Sequence, residues 1–262
     1  HMNMNFSMRY DEFAYNFTNQ ISSGTPSSRN NFNQFTPKIG LTYNKNNWGG
    51  YLNYSKGFVP PQITEIYNAI KVPYLLPQFF HNVETGLWLN TPKWHAEISV
   101  YKMNGKNEIV SVRQPDGVNL NQNTGSTQHI GFEYQIRYKI NSALSLIGVG
   151  TKAKHKYVST LLKGVDISGN EMNAAPNYWG TLSAEWTPIN KLLIIADWQH
   201  QSKYFMDETN STTYPGFDLM NLKINLVHKK FTYWLHILNA TNTYYSSMAT
   251  KNFSVKGNAA YS

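Results

Sequence analysis

The segment from His129 to Tyr138, His-Ile-Gly-Phe-Glu-Tyr-Gln-Ile-Arg-Tyr, places apolar or aromatic residues at even numbers and polar or small residues at odd numbers. This two-residue period is typical of a β-strand with two different faces. The same alternation returns in Trp94–Val100, Leu192–Gln199 and Leu219–Leu226. The pattern predicts an all-β chain whose strands each need an apolar environment on one side.

The polar faces of these strands bear on which all-β architecture forms. In a soluble sandwich the inward faces meet in a core, whereas in a membrane barrel the apolar face meets lipid and the other face lines a hydrated lumen. Three strands carry runs of polar residues on one face: Glu133, Gln135 and Arg137; Asp197, Gln199 and Gln201; and Asn221, Lys223 and Asn225. Alternation alone leaves both architectures open.

Composition narrows the class of protein. The 262 residues contain no long Pro/Gly/Ser-rich linker, so we expect one domain over residues 1–262, with His1 and Met2 as a cloning remnant. No run of about eighteen apolar residues occurs, which excludes transmembrane helices but not transmembrane strands. The absence of cysteine excludes disulfides and thiolate chemistry. The net charge of +8 is dispersed, so we expect no nucleic-acid partner.

Periodicity and turn residues together predict eleven strands and the lengths of their connections. The strands are predicted at 3–11, 35–44, 48–57, 82–91, 94–103, 126–140, 143–157, 177–187, 191–204, 217–228 and 231–239, with a further one from about 253. Short turns are predicted at 44–47, 90–93, 139–142, 187–190 and 228–230, and long polar loops at 12–34, 58–81, 104–125, 158–176, 205–216 and 240–252. Strict alternation of short and long connections is typical of an antiparallel up-and-down outer-membrane barrel with short periplasmic turns and long extracellular loops.

Aromatic residues cluster beside the predicted short turns. These residues are Trp48, Trp94, Trp186 and Phe231, with Tyr43 and Tyr138 nearby. Rings at this position are expected at the interface between membrane and water.

Six segments, in order, resemble the barrel of TonB-dependent outer-membrane receptors, and most closely those for ferric siderophores or ferric citrate. They are Phe35–Tyr43, Tyr54–Pro61, Asn82–Leu87 after Leu76–Gln78, Asn123–Glu133, Tyr214–Lys223 and Ile237–Tyr244. The resemblance implies a transmembrane β-barrel of about 22 strands, of which this chain supplies about 11–12. It also implies a plug domain absent from this chain.

The same resemblance implies a function. We expect a receptor and transporter in the bacterial outer membrane, in contact with outer-membrane lipid, that binds a ferric siderophore or similar chelate. TonB would energise transport through the missing N-terminal region. This reading requires no enzyme activity, no catalytic residue and no cofactor. The histidines lack metal-site spacing, so we expect no metal site.

Two groups of residues are candidates for the site. Aromatic and cationic groups near the long loops suit an anionic iron chelate, and the predicted ligand-binding residues are Tyr74, Phe79, Phe80, His81, Arg113, Tyr204 and Tyr214. Alternation predicts a second, structural group that faces the lumen: Glu84, Glu133, Gln135, Arg137, Gln199 and Lys223.

Three other functions remain open at this stage. A passive or ligand-selective outer-membrane channel would transport without TonB. A soluble β-sandwich binding module would show two packed sheets and a buried aromatic core. An outer-membrane hydrolase would need a Ser/His/acid cluster, which the spacing of residues does not indicate.

Overall fold

The computed structural model describes residues 1–20, 26–67, 73–113, 119–123, 125–162, 165–251 and 259–261. Its main feature is one antiparallel sheet of eleven strands. In chain order these are β1 Met2–Phe17, β2 Ser28–Lys45, β3 Trp48–Val59, β4 Gln78–Asn90, β5 Trp94–Lys106, β6 Ser126–Lys139, β7 Leu144–Ser159, β8 Tyr178–Trp186, β9 Leu192–Gln201, β10 Phe217–His228 and β11 Phe231–Ile237. All eleven predicted strands are present.

Each strand of the main sheet pairs with the next strand along the chain, from β1 at one edge to β11 at the other. The predicted up-and-down order is therefore confirmed. Tight connections join β2 to β3, β4 to β5, β6 to β7, β8 to β9 and β10 to β11, and long connections lie at the opposite end of the sheet. Asn46 and Lys229, inside two tight turns, adopt the positive φ angles of 49° and 53° that hairpin turns require.

The strands β1 and β2 are longer than the alternation predicts. They continue to Phe17 and from Ser28, through paired residues such as Asn31 and Ala14. The predicted loop 12–34 is shorter in consequence. Four two-stranded hairpins, which we did not predict, also form: Ile109–Arg113 with Asn119–Asn123, Leu161–Leu162 with Val165–Asp166, Tyr204–Phe205 with Thr213–Tyr214, and Ala249–Lys251 with Ala259–Tyr261. The start of the strand expected from 253 lies outside the described residues.

One short helix, Ile63–Ile66, lies in the connection between β3 and β4. Its first turn is held by a capping box, in which the Glu65 side chain accepts a hydrogen bond from the Gln62 backbone N–H at 2.7 Å. In the part of the chain that the structure describes, no helix is long and apolar enough to cross a membrane.

The strand register gives the sheet one polar face and one apolar face. Ser99 lies opposite Glu133, while the next positions pair Ile98 with Tyr134 on the other side. Because side chains alternate along each strand, residues opposite one another share a face. Register continues this assignment across the sheet, so the three polar runs seen in the sequence lie on one polar face.

Side chains on the apolar face remain exposed. Leu52, Leu87 and Ile130 are 50%, 54% and 47% exposed. A sandwich would bury such side chains beneath a second large sheet, and the sheet order shows one eleven-stranded sheet with two-stranded hairpins beside it. The buried apolar cluster lies in the loops instead: Tyr204, Met206, Tyr214 and Ala249, with Phe217 packed against it. This arrangement suits a sheet whose apolar face meets lipid.

The aromatic residues next to the tight turns lie on the apolar face. Trp94 stacks on Tyr138 with ring centroids 4.2 Å apart, and Trp48 lies 5.5 Å from Tyr43. Trp48, Trp94, Trp186 and Phe231 are all at least 42% exposed. Their position matches an interfacial girdle at the turn end of the sheet.

Candidate ligand-binding face

The polar face carries an open cavity of about 470 Å³ near its middle, lined by residues of β3 to β8. The Tyr51 ring lies against Gly86 of the neighbouring strand, where any Cβ atom would collide with the ring. This close approach lets the Tyr51 hydroxyl donate a hydrogen bond to Glu84. Glu133 and Trp179 also line the cavity, which therefore combines carboxylates with aromatic rings.

Charges on the polar face are also paired across strands. Arg137 donates to both carboxylate oxygens of Glu185, at 2.6 and 3.2 Å. Lys223 Nζ lies 3.1 Å from Asp197, which also accepts a hydrogen bond from Ser183 at 2.6 Å. The Asp197 residue is only 7% exposed. These contacts fix side chains on β6 and β8 to β10 and neutralise their charges locally.

At the loop end of the polar face, a polar network joins β6 and β7 to the segment that follows β5. His129 Nδ1 lies 2.7 Å from His155 Nδ1, so one ring donates to the other. On its other side, His129 Nε2 lies 3.3 Å from Glu108 Oε1, and the Thr127 hydroxyl also donates to Glu108. Thr127 and His129 are 1% and 8% exposed. The sequence carries no signal for this network, because Glu108 and His155 are 47 positions apart and come together at His129 only when the strands pair.

The Glu108 carboxyl lies outside the strands of the main sheet, and its surroundings favour its ionised form. Burial alone would raise the pKa of Glu108, but hydrogen bonds from His129 and Thr127 and the charges of the two imidazoles lower that pKa below its usual value. Within the described residues, no group of three or more His, Cys, Asp or Glu side chains is arranged to hold a metal ion.

The loops beyond β9 and β11 pack around two predicted ligand residues, Tyr204 and Tyr214. They are 5% and 2% exposed, and their ring centroids are 5.2 Å apart. The Tyr204 hydroxyl accepts a hydrogen bond from the Ala249 N–H, and the Tyr214 hydroxyl accepts one from the Ser246 N–H. Both rings thus organise the loops from within, where a ligand would not touch them without loop movement.

Asp207 holds the same loop region together. This residue, 2% exposed, accepts hydrogen bonds from Thr209 Oγ1, Ser211 N and Ser211 Oγ at 2.7–2.9 Å. Lys251 Nζ lies 3.6 Å from its carboxylate. Burial would raise the pKa of Asp207, but these hydrogen bonds and the nearby ammonium lower it below its usual value.

The other predicted ligand residues lie at different places. Tyr74 is 88% exposed in the connection before β4. Phe80 lies on the polar face opposite Gly57, whereas Phe79 and His81 lie on the apolar face. There His81 is hydrogen-bonded to the Tyr54 hydroxyl at 2.9 Å.

Arg113 is the last residue of the strand Ile109–Arg113, and its side chain lies outside the described part of the chain. All six residues of the predicted structural group lie on the polar face: Glu84, Glu133, Gln135, Arg137, Gln199 and Lys223. Alternation in the sequence therefore predicts correctly which face of the sheet a mid-strand residue occupies. For residues at the loop end of a strand, such as Phe79 and His81, the face is known only from the strand register.

Comparison with known proteins decides the family. The family model described as TonB dependent receptor-like, beta-barrel matches residues 2–247. The chain belongs to the TonB-dependent receptor β-barrel family. The resemblance seen in the sequence is thereby confirmed, and the family is one of outer-membrane receptors and transporters.

Solved structures share the fold of this family member. The siderophore receptor PiuA from Acinetobacter baumannii is 17% identical, with a TM-score of 0.75 over 92% of this chain. The ferric citrate transporter FecA in its unliganded form is 18% identical, with a TM-score of 0.77 over 92% of the chain. The copper transporter OprC is 12% identical, with a TM-score of 0.79 over 94% of the chain. The chain spans 37%, 38% and 40% of the lengths of these three structures.

Proposed function

We propose that this TonB-dependent receptor barrel takes up a ferric siderophore or similar iron chelate across the outer membrane, with energy from TonB. The observation that carries the proposal is the two-faced sheet with every long connection at one end, combined with the family match over residues 2–247. The polar face of the sheet would line the lumen of the barrel, and the long loops would contact the ligand outside the cell. TonB would act through an N-terminal region of the whole receptor.

The chemistry of the loop end supports an anionic chelate. Tyr74 offers an exposed ring, and Phe80 offers one on the polar face. Aromatic rings provide flat contact area for the chelating groups, and cationic side chains such as Arg113 would pair with carboxylate or catecholate oxygen atoms. Transport requires binding and release only, with no covalent step.

Binding is tested with ferric chelates of citrate, catecholate and hydroxamate types on the purified receptor, followed by fluorescence quenching. Trp88 and Trp179 line the polar cavity and serve as internal reporters. We expect Tyr74→Ala to weaken binding of the recognised chelate about fivefold, since a lost aromatic contact removes on the order of 1 kcal/mol. Tyr244→Ala is the matched control, because Tyr244 is 99% exposed and lies outside the predicted ligand set. Failure of all three chelate types to bind would contradict the proposal.

Energisation is tested separately in cells. Uptake of a radiolabelled ferric chelate is compared in bacteria that carry the receptor with and without TonB. We expect uptake to stop without TonB. Uptake that continues at the same rate would instead support the passive or ligand-selective channel, and uptake of a copper salt in place of the iron chelate would contradict the substrate class.

A further inference from the structure

Lysines occupy the apolar face of the sheet at the end far from the tight turns. They are Lys56, Lys102, Lys106, Lys152, Lys154 and Lys156, on strands β3, β5 and β7. Register confirms the face: Lys102 lies opposite both Val83 and Ile130, and Ile130 lies opposite Lys154. Val83 and Ile130 are 49% and 47% exposed on that face. We call these six residues the lysine belt.

The lysine belt has a regular lower edge. Lys56, Lys102 and Lys152 each lie eight positions after the first residue of their strand, which is Trp48, Trp94 or Leu144. On all three strands, the intervening side chains of the same face are apolar residues, tyrosine or glycine. The outward surface therefore changes from apolar to cationic at one height on three alternate strands.

This height corresponds to the outer boundary of a membrane. Eight residues at about 3.3 Å each, in a strand tilted by about 40°, rise about 20 Å above the aromatic girdle. The apolar band of outer-membrane barrels is about 25 Å tall. A lysine stem extends upward along the apolar surface, so its ammonium group reaches the headgroup layer of the outer leaflet.

Protein anions compensate little of this charge. Among the described residues, one ion pair involves the belt: Glu171 Oε1 lies 3.3 Å from Lys154 Nζ. Lys56 lies 5.2 Å from the centre of the Phe79 ring. Lys102, Lys106, Lys152 and Lys156 make no ion pair within the described part of the chain. Strands lie about 4.8 Å apart, so Lys102 and Lys154, both opposite Ile130, have Cα atoms about 10 Å apart, and Lys152 lies about 7 Å from Lys154 along the same strand.

We propose that the lysine belt is a binding site for the phosphate groups of outer-leaflet lipids. The partner must be a lipid, because the belt borders exposed apolar side chains that a membrane covers, and headgroup phosphates are the anions found at that depth. Lysine ammonium groups bind phosphate as point charges and need no fixed fork geometry. A lipid carrying two phosphate monoesters would contact several members of the belt at once, which favours it over a lipid with one phosphate.

The test measures lipid retention by the intact receptor purified in detergent. Bisphosphorylated lipid A is titrated, and bound lipid is counted by native mass spectrometry. We expect K102Q/K152Q/K154Q to weaken binding about tenfold or more, because each lysine near a headgroup contributes on the order of 1 kcal/mol. The triple arginine variant at the same positions keeps the charge and should retain binding.

A matched control removes the same charge at the other end of the sheet. K93Q/K139Q/K230Q changes three exposed lysines beside the tight turns, and we expect lipid A binding to stay unchanged. Heat-modifiable gel migration checks that both triple variants fold. Equal weakening by the two triples would overturn the proposal. Equal binding of dephosphorylated lipid A would also overturn it, because the phosphate groups would then contribute nothing. Full displacement of lipid A by inorganic phosphate at an equal concentration would overturn it as well, because the lipid part would then contribute nothing.

Discussion

At the scale of single residues, the polar face depends on the absence of a side chain at Gly86. The Tyr51 ring occupies the space where a Cβ atom would stand, and from there it donates to Glu84. We expect Gly86→Ala to displace the ring, break this hydrogen bond and reduce the free energy of unfolding by about 1–2 kcal/mol. Gly57→Ala is the control, because its Cβ would lie 3.6 Å from Phe80 in ordinary contact. Urea unfolding in detergent measures the loss of unfolding free energy in both variants, and equal losses would contradict this account.

Asp207 gives the loops a dependence on pH. Its pKa in the folded protein lies below the ordinary value of 3.8, so its carboxylate stabilises the loop above that value. This contribution is lost as the pH falls through the lowered pKa. We therefore expect the Ser211 amide, which donates to Asp207, to lose hydrogen-exchange protection between pH 5 and pH 2, after correction for the intrinsic exchange rate. In Asp207→Asn, protection should be weak at every pH; a pH-dependent loss of the same size there would exclude Asp207 as the cause.

At the scale of strands and loops, burial separates the two ion pairs of the polar face. Arg137 and Glu185 have side chains that are 45% and 28% exposed, whereas the side chain of Asp197 is 9% exposed beside Lys223. Solvent screens the first pair, so we expect Arg137→Ala to cost less than about 1 kcal/mol. Asp197→Ala should cost about 1–3 kcal/mol, because it leaves Ser183 and Lys223 without their acceptor. Chemical unfolding of both variants under the same conditions measures the two losses of unfolding free energy. A larger loss in Arg137→Ala than in Asp197→Ala would contradict this prediction.

How far the sequence predicts these elements depends on the apolar alternation. All eleven strands of the main sheet were predicted, because one face of each meets an apolar medium. The ends of β1 and β2 beyond that medium were missed, since Ser28–Gln34 is polar on most positions and carries no period. The contact of His129 with Glu108 was missed for another reason: Glu108 follows the end of β5, and its position beside β6 depends on how β5 and β6 pair, which the pattern of one strand does not contain.

At the scale of the whole molecule, the two faces of the sheet should respond in opposite ways to the same new charge. Ile98 lies on the apolar face four positions after Trp94, about 10 Å above the girdle and close to the middle of the band. An arginine there would face hydrocarbon, so we expect Ile98→Arg to reduce the free energy of unfolding in lipid vesicles by about 2–4 kcal/mol. Gln135 is near Ile98 in the sheet but lies on the polar face, opposite Glu97. Gln135→Arg should therefore change stability by less than about 0.5 kcal/mol. If both substitutions destabilised the protein equally in vesicles, the apolar face would not be the one that meets lipid. The positions assigned to the aromatic girdle and the lysine belt at the two membrane boundaries would then be wrong as well.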